Sequence, residues 1–470
     1  MDINRYIADN EPLRVISMFQ REKQTFAKSF AEVSDELNPK KHKVNNKFYR
    51  KDKKIKVPVD GKFDENGEQV YRTETVKRCR VSVPLQKLLV ERSVGFLFGI
   101  PVEYSTTEGM SNAQEDFFKA FKAVIDSAKT KYKDKEIARI LFSEREVAEI
   151  WYFTLDDNNK PDQMKVRIAS PSRGDSLYPH FDEYDRMDSF MRAYSTTEET
   201  ESVLHYDIYT KTHLYKFISD NGGIKMDGNP KRHGFNKIPV IYYRQDDSEW
   251  ETVQNVIERI EDLLSNWGDT NDYFGSPSYF VSGEISGFAE KGEQGRVYTG
   301  LNGADMKVLS WDSSPASIQG EIANLLNIVF SYTQTPDISF ETMKQLGGNT
   351  SGVAIRLMFT DPHMKASCKI ETFGEMFDRR INVIKSGLET TKINIPNSEV
   401  VSLKISATFT PYYPKNDNEI IQMINASVGG KATISQRDGV RLNPLVSNSE
   451  NTIKELEEEM KASVAEGVTK

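Results

Sequence analysis

The stretch from Thr335 to Thr391 constrains the fold of this chain more than any other part of the sequence. From Val353 to about Leu388 it contains the longest helix-compatible run, and apolar residues recur at three-to-four spacing along the second half of that run. At about 1.5 Å per residue the predicted helix is on the order of 50 Å long, well beyond an ordinary globular helix. The rest of the chain must therefore be arranged around it.

Pro362 lies inside the predicted helix. Its ring would collide with the carbonyl of Met358, four residues earlier, so we predict a kink at this position. In front of the helix, the loop 336–352 is rich in glycine and small polar residues, and Thr350 or Ser351 can cap the helix. The candidate functional residues of this loop are Lys344, Gln345, Gly347, Gly348, Asn349, Thr350 and Ser351.

Composition indicates a folded soluble chain of two to four domains. Of its 470 residues 38% are hydrophobic and 28% charged, and the many aromatic residues argue against disorder. No apolar run reaches the roughly 18 residues that a membrane span needs, and the first residues do not resemble a signal peptide. Cys79 and Cys368 are too few for a disulfide framework or a thiolate metal site, so we expect a reducing, cytosolic-type environment.

Charge is segregated along the sequence. Residues 38–80 carry fourteen basic and six acidic side chains, a net +8, whereas residues 247–321 carry fourteen acidic and four basic ones, a net −10. For the basic segment a solvated loop face is the favoured interpretation, and a phosphate contact is the alternative.

Residues 1–245 are predicted to form an α+β domain. One or two amphipathic helices in residues 1–37 precede a buried helix at Val83–Phe98, which Gly99 ends, and a further helix at Ala113–Ser127. The predicted strands that follow are Ala148–Leu155, Met164–Ala169, Met191–Ser195, Val203–Tyr209 and His213–Ile218, and the domain closes at Ile238–Tyr243.

Two helices with heptad spacing come next, and a glycine-rich β module separates them. The apolar residues of the first helix are Val253, Val256, Ile260, Leu263 and Trp267; those of the second are Ile318, Ile322, Leu325, Val329 and Tyr332. The module has predicted strands at Tyr279–Val281, Arg296–Tyr298 and Met306–Trp311. Because each helix is too short for a free coiled coil, its apolar side chains need neighbours within the chain or in another copy.

The C-terminal part is predicted to be mostly helical. A strand at Val400–Phe409 is followed by helices at Asn416–Val428 and Ile453–Ala465. Between these, Ser435 and Asp438 have the spacing of a capping box for a short helix that ends before Pro444.

The sequence contains no pattern typical of catalysis. The six histidines are scattered and none belongs to an HExxH motif, and there is no GxSxG motif. The segment Gly347–Gly352 lacks the lysine of a phosphate-binding loop and follows no predicted strand. We therefore interpret the chain as a non-enzymatic protein without cofactor or metal.

Taken in order, these elements resemble the portal (head-to-tail connector) family of tailed bacteriophages, of the long-tailed-phage type. The stretches that carry the resemblance are Leu88–Tyr104 with its Gly-Ile-Pro-Val turn, Ile238–Ile241 before an acidic helix, Gly347–Ala354, Ile434–Pro444 and Glu455–Met460. The likeness spans nearly the whole chain, and its specificity comes from the order of the pieces.

The resemblance implies an α+β portal fold with named parts. These are a wing (1–245), stem helix 1 (246–274), a small β clip (275–312), stem helix 2 (313–335), a tunnel loop (336–352), a long kinked spine helix (353–391), a wing strand (392–415) and a helical crown (416–470). It also implies that the heptad residues of the stem lie at a subunit interface.

The function implied by the resemblance is that of a ring of about twelve copies at one capsid vertex of the virion, assembled in the host bacterial cytoplasm. Double-stranded DNA would pass through its channel during packaging and ejection. The expected partners are the large terminase subunit, head-completion or adaptor proteins, and the major capsid and scaffolding proteins, with no membrane. An acidic stem and clip agree with this, because they repel phosphate and let DNA slide.

Two other interpretations remain open at this point. One is a non-enzymatic scaffold or nucleic-acid-associated protein of a different oligomeric state, whose heptad helices pack on each other within one chain. The other is an enzyme that binds a nucleotide with the glycine-rich loop. Light scattering distinguishes the first from a ring, and nucleotide binding tests the second.

Overall fold

The computed structural model of the chain describes residues 11–22, 28, 30–37, 52–106, 109–158, 160–198, 201–220, 223–274, 278–282, 305–309, 315–337, 357–390, 402–412, 417–429 and 432–467. Its helices are α1 (Pro12–Glu22), α2 (Phe30–Leu37), α3 (Leu85–Phe98), α4 (Asn112–Ser127), α5 (Thr130–Glu144), α6 (Gln254–Phe274), α7 (Pro315–Tyr332), α8 (Thr360–Thr390), α9 (Asp417–Val428), α10 (Gln436–Leu442) and α11 (Ser449–Gly467).

The strands before residue 200 are β1 (Lys53–Phe63), β2 (Gln69–Val76), β3 (Glu103–Thr106), β4 (Glu146–Leu155), β5 (Pro161–Ala169), β6 (Asp175–Phe181) and β7 (Met187–Glu198). The later strands are β8 (Glu201–Tyr209), β9 (His213–Asp220), β10 (Gly223–Met226), β11 (Lys231–Arg232), β12 (Val240–Arg244), β13 (Ser278–Ser282), β14 (Asp305–Leu309) and β15 (Ile405–Thr408).

Antiparallel sheets form the frame of the N-terminal half. One sheet has the order β10-β9-β8-β7-β6, with β11 paired to β9, and a second has the order β12-β4-β5. Strand β15 pairs with β3, so the chain beyond the long helix returns to the N-terminal half. Helix α1 covers the first sheet with Val15, Ile16 and Phe19. The α+β character predicted from the sequence is thus present.

The long helix α8 lies at the centre of the main core, as the sequence analysis predicted. Phe373 and Phe377 are completely buried, and Phe373 packs edge-to-face on Phe98 of α3 with ring centroids 5.0 Å apart. The helix also contacts β12, α4 and β15. Burial of such aromatic side chains is the main favourable contribution to the stability of this core.

Helix α8 begins later than expected. The predicted start at Val353 lies outside the described residues; Leu357 and Met358 are helical, Phe359 forms a turn, and α8 runs from Thr360. Pro362 is consequently in the first turn of α8, where a missing N–H costs little because the first four amides have no helical partner. The predicted kink stays a prediction.

Several elements of the N-terminal half were missed in the sequence analysis, including the strands β6, β10 and β11. Segment 52–80 contains the hairpin β1–β2 instead of a loop; its signals were the alternation of Ile55 and Val57 with lysines and the Asn66-Gly67 turn, where Gly67 has φ +82°. Helix α5 was also missed, and it buries Ile137 and Leu141.

The C-terminal helices agree with the sequence analysis. Ser435 caps α10, because its hydroxyl accepts the Asp438 N–H at 3.1 Å. In the module between α6 and α7, β13 pairs antiparallel with β14. The third predicted strand, Arg296–Tyr298, lies outside the described residues.

Candidate functional site at the junction of stem, loop and spine

Helices α6 and α7 pack against each other within one chain. The main buried core includes Val253 just before α6, Ile260 of α6 and Val329 of α7, with Ile322 and Leu325 packed against it. Arg259 Nη2 bridges the two helices to Glu321 Oε1 at 2.9 Å.

The predicted heptad residues therefore have neighbours inside the chain. Those that are buried are Val253, Ile260, Leu263 and Val329; those that are half-buried are Val256, Trp267, Ile318, Ile322 and Leu325. Ile257, which the heptad spacing leaves out, is completely buried. A role of these helices at a subunit interface stays a prediction, and such an interface would use the exposed face of α7, which includes Ile328 and Tyr332.

An extended segment, Cys79–Val83, lies along α6 and is held there by side chains of the helix. The N–H of Val83 donates to Glu261 Oε1 (2.8 Å), that of Val81 to Ser265 Oγ (3.0 Å) and that of Cys79 to Asp269 Oδ1 (2.6 Å). The donors are two residues apart in the extended segment and the acceptors are four residues apart in α6. These two spacings match, because two residues of an extended chain span about 6.6 Å and four residues of a helix span about 6 Å. We call these three hydrogen bonds the α6 ladder.

The segment approaches α6 closely because Gly268 has no side chain. A Cβ at this position would lie 2.4 Å from the sulfur of Cys79. Burial raises the pKa of Glu261 to about 7, although the hydrogen bond from Val83 acts in the opposite direction.

A buried ion cluster joins the residues just before α6 to the first half of α8. The side chain of Glu249 is 3% exposed, and its carboxylate binds two lysines of α8, Lys365 Nζ at 2.5 Å and Lys369 Nζ at 2.6 Å. Ser93 of α3 donates to the same carboxylate at 3.2 Å. Burial by itself would raise the pKa of Glu249, but the two ammonium groups outweigh it and hold the pKa below its ordinary value.

The described residues just before the predicted tunnel loop are held by side chains of α3 and α8. Arg92 donates to the carbonyl of Pro336 (2.9 Å) and to Asp337 Oδ1 (3.2 Å). Lys365 donates to the carbonyl of Thr333 at 3.0 Å. The candidate loop residues lie outside the described residues: Lys344, Gln345, Gly347, Gly348, Asn349, Thr350 and Ser351.

Replacing Lys365 with methionine should lower the free energy of unfolding by about 1–3 kcal/mol at pH 7, because a buried carboxylate loses one of its two cations. The difference in free energy of unfolding between the variant and the wild type should shrink below about pH 4.5. In the wild type the lowered pKa of Glu249 contributes stability that is present above its unfolded pKa and is lost as pH falls through the folded pKa. Urea unfolding at pH 7 and pH 4 measures both; an equal loss at the two pH values would contradict the assignment.

Lys119→Met is the matched control, since Lys119 pairs with Asp116 at the surface, where both side chains are more than two-thirds exposed. Its effect should stay below about 1 kcal/mol at either pH.

A second buried charge cluster fixes α8 to the sheet. Arg380, completely buried, binds Glu149 through Nε and Nη2, each at 2.8 Å, and Asp134 through Nη1 at 2.8 Å. Two tyrosines complete it: Tyr243 donates to Glu149 at 2.9 Å, and Arg380 donates to the hydroxyl of Tyr104 at 3.2 Å. We call this the Arg380 cluster.

The sequence analysis did not identify the Arg380 cluster. Its signal was a single arginine on the apolar face of α8, between Phe377 and Ile384. Burial raises the pKa of Asp134 to about 6 and that of Tyr104 to about 12, while Arg380 acts on both in the opposite direction. The carboxylates of Glu149 and Asp134 are both paired with Arg380, so neither is free to act as an acid or a base.

Within the described ranges, no group of three or more His, Cys, Asp or Glu side chains is arranged to hold a metal ion. Among the same residues no helix combines the length and apolar character of a membrane span. The described chemistry of this site is therefore anchoring: charged side chains fix helix α8, the residues just before α6 and the residues 333–337 to one core.

Comparison with known proteins identifies the class. A model of the phage portal proteins, described as "Phage portal protein, SPP1 Gp6-like", matches residues 32–466, which is nearly the whole chain. The chain therefore belongs to the SPP1 Gp6-like family of phage portal proteins. The resemblance inferred from the sequence is confirmed, and the family is one of structural proteins.

Among solved structures, the neck of an empty gene transfer agent (GTA) particle computed with C6 symmetry matches with a TM-score of 0.39 at 9% identity, covering 77% of this chain and 88% of that chain. The neck of the native GTA particle computed with C12 symmetry matches with a TM-score of 0.36 at 9% identity and with the same coverage. The virion of the native GTA particle matches with a TM-score of 0.33 at 10% identity, again with the same coverage. No curated protein matches the chain.

Proposed function

We propose that this chain forms a ring of about twelve copies at one vertex of a phage capsid and that double-stranded DNA passes through the ring during packaging and ejection. Family membership supports the portal role. The observation that supports the channel is that Arg92 of α3 and Lys365 of α8 both hold residues just before the proposed tunnel loop, at Pro336 and Thr333.

In this proposal the parts have the bounds expected from the sequence. Residues 1–245 and 392–415 form the wing, 246–274 and 313–335 the stem, 275–312 the clip, 336–352 the tunnel loop, 353–391 the spine and 416–470 the crown. The ring belongs to the virion. The large terminase subunit docks during packaging, head-completion proteins dock afterwards, and the major capsid and scaffolding proteins surround the ring.

The proposed subunit interface includes the outer face of α7. This face is nearly uncharged, and Ile328 is 39% exposed on it. An apolar side chain left exposed among small and mostly uncharged polar residues favours contact with another copy.

The experiment is a comparison of Ile328→Asp with Ile260→Asp by mass photometry and negative-stain microscopy. Wild-type protein should form rings, and Ile328→Asp should give folded subunits that do not assemble. Ile260→Asp should fail to fold, since Ile260 is 1% exposed within one chain and a buried unpaired charge costs several kcal/mol.

A wild-type protein that stays monomeric at high concentration would contradict the ring. The chain would then be a scaffold or nucleic-acid-associated protein of another oligomeric state, consistent with α6 and α7 packing on each other inside one chain. Rings of unchanged mass from Ile328→Asp would contradict only the interface.

A further inference from the structure

The hairpin β1–β2 contributes no side chain to the hydrophobic clusters formed by the described residues. Its two strands pair with each other, and no described side chain from Asp52 to Arg80 is buried. Phe63 and Tyr71 are 63% and 56% exposed, and Val76 is also exposed. An isolated two-stranded hairpin is marginally stable in water, so a hairpin of this length requires a partner surface.

The base of the hairpin is nevertheless fixed. The α6 ladder holds Cys79–Val83 on the stem helix, and Arg80 Nη2 pairs with Asp52 Oδ1 at 2.8 Å across the base of the two strands. The hairpin therefore starts beside the part of α6 that leads to the clip strand β13 and has a defined position relative to the stem.

Strand β1 and helix α6 have opposite charges. Strand β1 carries four exposed lysines that form no ion pair with a described residue: Lys53, Lys54, Lys56 and Lys62. With one acidic residue its net charge is +3, whereas α6 carries five acidic and one basic side chain, a net charge of −4. On α6 itself, Glu258, Asp262 and Asp272 are at least partly exposed. Opposite potentials of this kind fix the register of an interface and exclude wrong partners.

We propose that the β1–β2 hairpin is an arm that docks on the stem of the adjacent copy, with its lysines on the acidic surface of that stem and Tyr71 and Phe63 covered by it. This inference rests on the proposed ring. In such a ring each stem has a neighbouring stem, so a hairpin that the α6 ladder fixes to its own stem, and whose side chains are not buried there, is available to the next one.

DNA fits this surface less well than a second copy does. The hairpin as a whole carries five basic and five acidic side chains, so it lacks the net positive charge with which proteins bind a phosphate backbone. The exposed aromatic and aliphatic side chains also need an apolar partner, and a phosphate backbone does not provide one.

The first test places a photo-crosslinking residue, p-benzoylphenylalanine, at position 71 in full-length protein. Irradiated rings should yield a covalent dimer on a denaturing gel, with the crosslinked peptide in residues 254–274 or 315–332. The same variant carrying Ile328→Asp, or diluted below the assembly concentration, is the unassembled control and should give no dimer. Crosslinks confined to one chain in intact rings would overturn the proposal.

The second test replaces Lys54–Thr75, whose end residues are cross-strand partners, by a short Gly/Ser linker. The fold should survive, since no buried side chain is removed, and the concentration for half-maximal assembly should rise at least tenfold. Substituting the four lysines of β1 by glutamine should raise it too, and more at low salt than at high salt.

The outcomes separate the two proposals. A monomeric wild type overturns the ring and the arm together. Wild-type rings combined with unchanged assembly of the linker variant overturn the arm alone. The arm is likewise overturned if the linker variant assembles normally but loses binding to DNA, which would make the hairpin a nucleic-acid contact.

Discussion

Replacing Arg380 with methionine should lower the free energy of unfolding by about 3–5 kcal/mol, a large part of the 5–15 kcal/mol typical of a folded domain. Methionine fills a similar volume but leaves Glu149 and Asp134 buried without their cation. Chemical denaturation followed by tryptophan fluorescence measures the change, since Trp151 of β4 donates to Glu149 at 2.7 Å and reports on this part of the core.

Arg139→Met is the matched control. Arg139 binds Glu91 through Nε and Nη2 at 2.7 and 2.9 Å, the same two-point geometry as Arg380 with Glu149, but its side chain is 46% exposed. Its loss should cost at most about 1 kcal/mol, because solvent screens an exposed pair. Similar losses for the two variants would mean that burial does not determine the contribution of the Arg380 cluster.

The Arg380→Met variant should also depend on pH with a defined sign. Without the arginine, burial keeps the folded-state pKa of Asp134 above its unfolded value. The stability that this protonated carboxyl group contributes is then fully present below its unfolded-state pKa and is lost as pH rises through its folded-state pKa. Asp134 has a pKa of about 6 even with Arg380 present, so the variant should be more stable at pH 5 than at pH 8.

Substituting Gly347 and Gly348 together by proline should reduce DNA packaging more than tenfold while ring mass is unchanged. In the proposed channel, a ring of one symmetry meets helical DNA of another, so the loop backbone must take several conformations. Proline fixes φ near −65° and removes an N–H, whereas glycine reaches both signs of φ. An in vitro packaging assay with purified rings measures the effect.

Alanine at the same two positions is the control, because alanine keeps the N–H and most of the torsional range at negative φ; this variant should retain a large part of the packaging rate. In a separate variant, Asn349→Lys should slow DNA passage more at low salt than at high salt, since added phosphate contacts are salt-dependent. Normal packaging by both the double-proline and the Asn349→Lys rings would contradict the role of the loop.

The sequence predicted those parts of the fold that depend on regular spacing of apolar residues. The repeat of Phe373, Phe377, Ile381 and Ile384 correctly identified the central helix, because a stripe of this kind is stable only when buried. The heptad spacing located α6 and α7, but it misplaced one edge of the buried face of α6. It included Val256, which is only half-buried, and left out Ile257, which is buried. A straight helix follows a period of 3.6, so a strict heptad drifts off its face.

The anchoring residues could not be predicted in the same way. Glu249, Lys365 and Arg380 belong to types that normally lie at the surface, and only their partners make them buried. Those partners come from distant parts of the chain. The hairpin β1–β2 was missed for a different reason: it is exposed on both faces, so its lysine-rich strand has the composition of a solvated loop.

The contacts of Arg380 also affect when the protein can fold. Its partners Glu149 and Tyr104 lie 231 and 276 residues earlier in the chain, and Tyr243 lies 137 residues earlier. A ribosome makes the N-terminal half first, and domains usually fold in the order of synthesis. Here Glu149 and Asp134 would have no cation until α8 emerges, so the sheets of the N-terminal half cannot reach their final packing during early translation. Sequence separations of this size also slow folding. Each subunit therefore completes its core late in synthesis, at the time when its central helix becomes available.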